Sequence, residues 1–448
     1  MRKVFFRIGF TAATVSMAVL PLLAQVDRPA PVAGYAKYLD QTNGTTVERL
    51  VEMALRNNAE LAAMQKEAAA AEALVRQAGL RPNPSVEVGG TREFRSPDNS
   101  FMIEGSLPLE LGGRRAARIR VAESELEIRR QAAAERERQL AAEVRTKFGE
   151  ALAAILKLRF TEEILSVATQ DYDLVSARVA EGRRAPLEQN MELVELNRIR
   201  ALRETSEAAV ELALLGLRNL VGMPPEEPLK LRGDLEQLVD RAPPQVGAVE
   251  RALQTRPDLL GARAVERLAA ARASQARADG RIDADLMLGY QQMRSGFPLL
   301  GLEEHTGALL PIDSKFKFFT FGVKLMLPLR NRNQGAVAAS LLEEQAARSR
   351  REFGELTIRS EVAGAFIRYN HAMRAKEIYR VGVRDQAAAN LEVVRQTYEL
   401  GSKTLLDYIA EQRRFIETEN GYIDAQLETY LARVEILRVV NFAELTNR

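Results

Sequence analysis

Apolar residues recur with helical spacing over six long stretches of this chain, and four shorter stretches alternate apolar with polar residues instead. The helical stretches are residues 46–80, 113–180 and 183–221, and again residues 246–278, 333–400 and 402–440. Each half therefore predicts the same order: a helix, two strands, a long helix, a glycine turn and another helix. At 1.5 Å per residue the longest stretches predict helices of roughly 100 Å. Such lengths indicate an elongated helical bundle.

Sequence markers recur in the same order in the two halves. The segment VEMALRNNAEL at residues 51–61 is matched by VERALQTRPDL at residues 249–259, and SLPL at 106–109 by MLPL at 326–329. These matches predict an internal duplication, with a first structural repeat at residues 46–244 and a second at 245–448. A duplicated unit of this length must bury its apolar faces against its own copy or a neighbour.

The last helix of each repeat carries apolar residues every seven positions. In the second repeat these are Ile409, Ile416, Ile423, Tyr430 and Leu437, and in the first they are Leu187, Val194, Ala201, Ala208 and Leu215. A strict seven-residue spacing is typical of a coiled-coil seam. The buried stripe of an ordinary helix bundle has the same spacing, and both interpretations give a rod of packed helices.

The four predicted strands are residues 85–94, 101–110, 284–293 and 317–328. Alternation is clearest in FFTFGVKL at residues 318–325. About ten alternating residues fit a transmembrane β-strand, although a soluble antiparallel sheet with one buried face has the same period. Open sheet edges are not tolerated in lipid, so four membrane strands would require several chains to share one barrel. Residues 294–317 then predict a long outer loop that folds over the barrel mouth.

The N-terminus has the pattern of a secretory signal peptide. Arg2, Lys3 and Arg7 precede an uncharged apolar stretch at residues 8–24, which predicts a signal peptide at 1–24. An uncleaved membrane anchor is the alternative. Residues 25–45 are aperiodic and predict a linker. No later stretch reaches the ~18 apolar residues of a membrane helix.

Composition removes several classes of function. Lys and Arg total 63 against 61 for Asp and Glu, so nucleic-acid binding has no electrostatic support. Cysteine is absent, and histidine occurs only at His305 and His371. No nucleophile–base pair, phosphate loop or metal-ligand spacing is present. We therefore expect no catalysis and no cofactor, and acidic pairs such as Glu303–Glu304 are ordinary in loops.

Five segments carry a resemblance to a known family. GLRPNPSVEV at 79–88, LELGGRRAARI at 109–119 and LPLRNRNQGAVA at 327–338 resemble the cobalt/zinc/cadmium (CzcC-like) resistance branch of the TolC family of outer-membrane channel-tunnels. The turn motif of that family is similar to VAEGRRAPLE at 179–188 and YELGSKTLLD at 398–407. The resemblance covers residue 46 to the C-terminus.

The resemblance implies an α+β membrane protein. Three chains, each giving four strands, would share one transmembrane β-barrel joined to a long α-helical tunnel. The homotrimer would sit in outer-membrane lipid and reach through the periplasm to a periplasmic adaptor protein and an inner-membrane pump of the RND type. Its function would be that of a passive exit duct for metal ions or drugs. The alternatives are the duct of a type I protein secretion system or, in another class, a periplasmic coiled-coil structural protein.

The resemblance also assigns roles at the two glycine turns. Gly182, Arg183, Arg184, Gly401 and Ser402 would form the periplasmic tips where the adaptor docks. Plain helical hairpins with solvated charges are the alternative at both turns.

Further acids and hydrogen-bonding groups near these turns are implied to close the tunnel. Asp407 would form a gating ring, and Glu411, one turn later, would replace the second acid of the family, whose position is occupied by Ala410. Glu188, Tyr398 and Lys403 would form a latch between helices, with an ion pair from Lys403 to Glu188. Solvated helix charges are the alternative for each residue.

Overall fold

The computed structural model of the chain describes residues 34–94, 98–239 and 244–446. The predicted signal peptide and the start of the predicted linker lie outside the described residues. In the first half, α1 (Val47–Asn57) and α2 (Ala59–Ala78) precede β1 (Ser85–Arg92) and β2 (Asn99–Pro108). The long helix α3 (Arg114–Ala180), the helix α4 (Pro186–Val221) and the short helix α5 (Leu235–Val239) follow.

The second half repeats this order with one interruption. Helices α6 (Ala248–Thr255) and α7 (Pro257–Asp279) precede β3 (Asp283–Leu302) and β4 (Leu309–Met326). The long helix is divided into α8 (Gln334–Glu377), a π-helical segment (Ile378–Arg384) and α9 (Asp385–Glu399), and α10 (Leu405–Val440) is the last long helix. The prediction of one continuous helix over residues 333–400 is therefore wrong at the π-helical segment.

The first helix of each half is also broken, at matching places in the repeat. Asn58 stands between α1 and α2, and its side-chain oxygen accepts a hydrogen bond from the Leu61 amide at 3.0 Å. Arg256 stands between α6 and α7, and Pro257 opens α7. A side-chain cap and a proline each favour a helix start. The predictions of unbroken helices over 46–80 and 246–278 are wrong for this reason.

The four strands form one antiparallel sheet in the order β1-β2-β3-β4. The central pairing of β2 with β3 joins the two halves of the chain. One face carries the apolar residues in register, since Val88, Ile103, Tyr290 and Phe319 lie side by side across the four strands. No other part of the described chain covers this face, and Phe321 is 86% exposed. A soluble sheet would have one buried face, and the sheet of the single chain does not have one.

The segment between β3 and β4 is mostly strand. Pairing continues past Met293 and Phe316 to Leu302 and Leu309, with a register shift between Gly296 and Leu300. Residues 303–308 alone form the turn, closed by a hydrogen bond from the Glu303 amide to the Ala308 carbonyl. The predicted long loop at 294–317 is thus wrong, because the two strands keep pairing beyond the length of β2.

The main hydrophobic core lies where α1, α3, α4 and α10 meet, and it includes Leu50, Phe148, Leu214 and Tyr430. Residues 34–45 of the predicted linker pack against this region, since the Tyr38 hydroxyl lies 3.1 Å from the Glu211 carboxylate. None of the helices described here is both apolar enough and long enough to cross a bilayer.

The two predicted seven-residue stripes differ in whether they are buried within the chain. Every member of the α10 stripe is buried within the chain. Every member of the α4 stripe is exposed, including Leu187 and Val194, while Leu196, Ile199 and Leu214 fill the core instead. The α4 stripe thus faces away from the rest of its own chain.

Candidate gate at the two helix turns

Both glycine turns are built by the same backbone motif. Gly182 has φ +72° and Gly401 has φ +79°, so both lie in the left-handed region that favours glycine. The amide of Arg183 donates to the Arg178 carbonyl at 2.8 Å, and the amide of Ser402 donates to the Thr397 carbonyl at 2.9 Å. These bonds satisfy carbonyls at the helix ends and give each pair of helices a fixed, tight reversal.

The first turn contacts the helix that enters the second turn. Glu188 accepts hydrogen bonds from the Arg184 guanidinium at 3.1 Å and from the Tyr398 hydroxyl at 3.4 Å. The Arg184 guanidinium also lies 4.9 Å from the centre of the Tyr398 ring. Burial, against the opposing charge of Arg184, raises the pKa of Tyr398. The three side chains form one cluster, which we call the tip cluster.

Two of the three predicted latch residues belong to the tip cluster. Glu188 and Tyr398 meet directly, as just described. No ion pair between Lys403 and Glu188 occurs in the described part of the chain, where Glu188 pairs with Arg184 at 3.1 Å. Arg184 was predicted only as a docking residue. Its spacing of four residues before Glu188 on the first turn of α4 was the sequence signal for this contact.

The two predicted gate acids are in different surroundings. The Asp407 carboxylate is exposed and accepts hydrogen bonds from the Thr404 amide at 2.9 Å and hydroxyl at 2.8 Å. These bonds, the backbone one first, lower its pKa. Glu411 is 8% exposed and is paired with Arg414 at 2.9 Å. Asp407 thus closes a capping box at the start of α10, whereas Glu411 is turned into the packed helices.

Deeper in the same region lies a set of buried acids that the sequence predictions missed. Glu192 is 4% exposed and Glu195 is 1% exposed, both on α4, and Asp171 faces them from α3. The Tyr408 hydroxyl donates to Asp171 at 2.9 Å, and its ring stacks on Tyr398 with centroids 5.8 Å apart. The spacing of Glu188, Glu192 and Glu195 places them on one helix face, which was the available sequence signal.

These acids differ in their charge partners. Burial raises the pKa of Glu195, but hydrogen bonds from Arg198 and Arg413 outweigh it and hold the pKa below its ordinary value. Among the described residues Glu192 has no such partner, so burial, with the nearby charges of Asp171, Glu195 and Glu188, raises its pKa to about 7. Burial also raises the pKa of Asp171. Glu192 is therefore a group that titrates near neutral pH.

Within residues 34–94, 98–239 and 244–446, no group of three or more His, Asp or Glu side chains is placed to hold a metal ion. The region instead combines exposed tips, a hydrogen-bonded contact between two helical hairpins and buried charge.

Long paired helices carrying a sheet with an uncovered apolar face define a membrane-associated helical channel protein. The chain belongs to the family of outer membrane efflux proteins, whose family model matches residues 50–223 and 248–441. The predicted membership of the TolC family is confirmed, and the chain is an outer-membrane efflux channel that extends into the periplasm. It is a passive conduit and not an enzyme.

Individual relatives support the same placement. The chain is 23% identical over 441 residues to the cobalt-zinc-cadmium resistance protein CzcC of Cupriavidus metallidurans, covering 98% of this chain and 100% of that protein. It is 24% identical over 482 residues to the outer membrane protein OprJ of Pseudomonas aeruginosa, covering 98% and 96%. A crystal structure of CusC superposes with a TM-score of 0.74 at 18% identity, covering 91% of this chain and 95% of that one.

Proposed function

We propose that three copies of the chain form the exit duct of a tripartite efflux pump, with a periplasmic adaptor and an RND-type inner-membrane pump. The observation that carries this proposal is the sheet. In the described residues β1 and β4 each pair on one side only, and the apolar face is uncovered. Pairing β1 of one copy with β4 of the next would satisfy both edges and give a closed barrel in lipid.

The exposed stripe of α4 supports the same assembly. Leu187, Val194 and Leu215 form part of an apolar seam that no described residue of the chain covers. A seven-residue seam needs a partner helix to exclude water. A neighbouring copy supplies one, so the stripe fits an interface between protomers in the helical tunnel.

Metal cations are the proposed cargo. This choice rests on similarity to the full length of a protein whose name states cobalt, zinc and cadmium resistance. Deleting the gene should lower tolerance to these three cations, with tolerance to organic drugs unchanged, and the gene on a plasmid should restore it. Unchanged metal tolerance beside lost drug tolerance would overturn the choice of cargo. A purified protein that is monomeric in native mass spectrometry would overturn the trimer.

We propose that Asp407 forms the gate of the closed tunnel. Three exposed carboxylates around the axis of a trimer would favour cations and bind multivalent ones. Asp407→Asn should weaken block by multivalent cations severalfold in planar-bilayer recordings, since asparagine keeps an oxygen for the Thr404 bonds but removes the charge. Glu417→Gln, at an exposed acid farther along α10, is the control. Unaltered block in Asp407→Asn rules out the gate, and an added effect of Glu411→Gln would include Glu411 in it.

The tip cluster is the proposed latch that keeps the hairpins together. Arg184→Ala removes the ion pair with Glu188 and the contact with the Tyr398 ring, so we expect a larger open fraction in the same recordings. Arg183→Ala is the matched control, because Arg183 is exposed and pairs with Glu181 within its own turn at 3.2 Å. Equal open fractions in the two variants would show that Arg184 does not hold the tips. The docking role of Gly182, Arg183, Arg184, Gly401 and Ser402 stays a prediction, to be checked by crosslinking to the adaptor.

A further inference from the structure

The π-helical segment Ile378–Arg384 is the clearest structural difference between the two halves. Its counterpart in the first half, α3, continues as one α-helix from Arg114 to Ala180. A π-helical turn is rare and occurs mostly where a helix has a functional irregularity. The packing around the segment indicates the role of this irregularity.

The segment lies in a gap in the packing of its helix. No residue between Lys376 and Ala387 is buried. On one side α8 is held by a core that includes Phe366 and Tyr369, and on the other side α9 is held by Tyr398 in a separate cluster at the tips. Few buried contacts give a segment low local stability against opening. The two well-packed parts of the helix are thus joined by a poorly packed one.

Two side chains tie the segment to α10. The Tyr379 ring lies over Gly421, where a β-carbon would come within 2.9 Å of the ring. The Arg384 guanidinium is 2.5 Å from the Glu419 carboxylate and 5.1 Å from the centre of the Tyr422 ring. Glu419 is 7% exposed, so this ion pair has one buried partner. Both contacts hold the segment against a helix that is continuous and has buried residues along its whole length.

Space for movement lies beside the second tie. A cavity of about 540 Å³ is lined by Arg384, Glu419 and Tyr422, and by Phe160 of α3 on the opposite side. Because the side chains of the tie border open volume, Arg384 can leave Glu419 without first displacing packed groups.

We propose that Ile378–Arg384 is a joint about which α9 and its tip turn move relative to α8, and that the Arg384–Glu419 ion pair locks this joint. The proposal rests on the proposed function, in which the two tips separate to open the duct. Movement of α9 separates Tyr398 from Glu188 and so separates the tips. It assigns the movement to the second half only, because α3 has buried residues such as Thr161, Ile164 and Ala168 along the corresponding stretch.

Hydrogen exchange of the purified full-length protein tests the joint directly. Arg384→Met keeps an apolar stem against Tyr422 but removes the ion pair, and we expect amide exchange in residues 378–390 to accelerate about tenfold, as for loss of one charge-assisted hydrogen bond. Glu419→Gln should act in the same direction. Glu377→Gln is the control, since it breaks the exposed pair with Arg380 within the helix itself. Unaltered exchange in both variants, or acceleration spread over the whole of α8 and α10, would overturn the joint.

The absence of cysteine permits a second measurement of distance. Spin labels at Glu181→Cys and Ser402→Cys, in labelled chains diluted with unlabelled ones, report the separation of the two tips. We expect Arg384→Met to lengthen and broaden this distance, with Glu377→Gln unchanged. An unchanged distance in Arg384→Met contradicts the link from joint to tips. Neither readout requires transport, so failure of the proposed duct would show in metal tolerance and oligomeric state instead.

Discussion

Replacing Glu192 with glutamine should stabilise the protein at pH 8 by about 2–3 kcal/mol and leave its stability at pH 5 nearly unchanged. The pKa of Glu192 rises from 4.5 to about 7 on folding. Below pH 4.5 the group is protonated in both the folded and unfolded states, so its ionisation does not lower the free energy of unfolding. Between pH 4.5 and 7 the unfolded chain loses the proton first and the wild type is destabilised. Above pH 7 the folded state holds a buried charge and the penalty is complete.

The groups around Glu192 explain why nothing compensates this charge. Asp171 faces it from α3, Tyr398 from α9 and Tyr408 from α10. The nearby cations are already engaged, since Arg198 and Arg413 bind Glu195 and Arg184 binds Glu188. We therefore expect the charge of Glu192 to weaken the helix packing at the tips as the pH rises through neutrality.

Urea unfolding followed by circular dichroism at pH 5 and pH 8 measures this difference. Glu204→Gln is the matched control, because Glu204 lies on the same helix but is exposed and paired with Arg203 at 2.6 Å. We expect that variant to follow the wild type at both pH values. A Glu192→Gln protein that gains equally at pH 5 and pH 8, or not at all, would show that Glu192 is not protonated in the folded state.

Arg256→Met should lower the free energy of unfolding by about 3 kcal/mol, the lower end of the range for breaking a buried ion pair. Arg256 is 3% exposed and stands at the break between α6 and α7. Its guanidinium binds Asp258 at 2.6 Å, Glu361 of α8 at 2.6 Å and the Val439 carbonyl of α10 at 3.4 Å. One side chain therefore holds three parts of the second half together. Both carboxylates are partly exposed, which limits the loss when they become unpaired.

The same unfolding measurement checks this expectation. Arg263→Met is the control, since Arg263 of α7 pairs with Glu355 of α8 at 3.4 Å in a more exposed position. A surface pair of this kind contributes about 1 kcal/mol or less. Equal losses in the two variants would mean that Arg256 acts as an ordinary surface charge and that the α6–α7 break is held by other contacts.

Much of the fold could be predicted because its signals are local. Helical and alternating periodicity located every long helix and all four strands. Most of their ends lie within a few residues of the predicted ones. The predicted glycine turns lie at Gly182 and Gly401, and both glycines have the left-handed conformation. The resemblance to the family followed from five short segments, two of which lie at these turns. The helix break before Pro257 was missed because the tendency of proline to start a helix was given too little weight. The loop at residues 294–317 was wrongly predicted because the pairing of the two strands extends beyond the alternating pattern.

The candidate site was less predictable from sequence. The resemblance grouped Glu188 with Tyr398 and Lys403, and in the structure Glu188 contacts Tyr398 but has its ion pair with Arg184. The importance of Glu192 depends on which side chains come near it from three other helices. No spacing within α4 could reveal that contact, because all of its facing residues are distant in sequence.

The sequence by itself determined the order of elements, the approximate positions of the helices and the family, since each depends on neighbouring residues and on periodicity along one chain. Only the tertiary structure decided which apolar stripe is buried, which acid is buried without a cation, and where the second long helix becomes π-helical. The α4 and α10 stripes have the same seven-residue spacing, yet one is exposed and the other is covered. The physical reason is that burial and pKa depend on which other elements surround a residue in space.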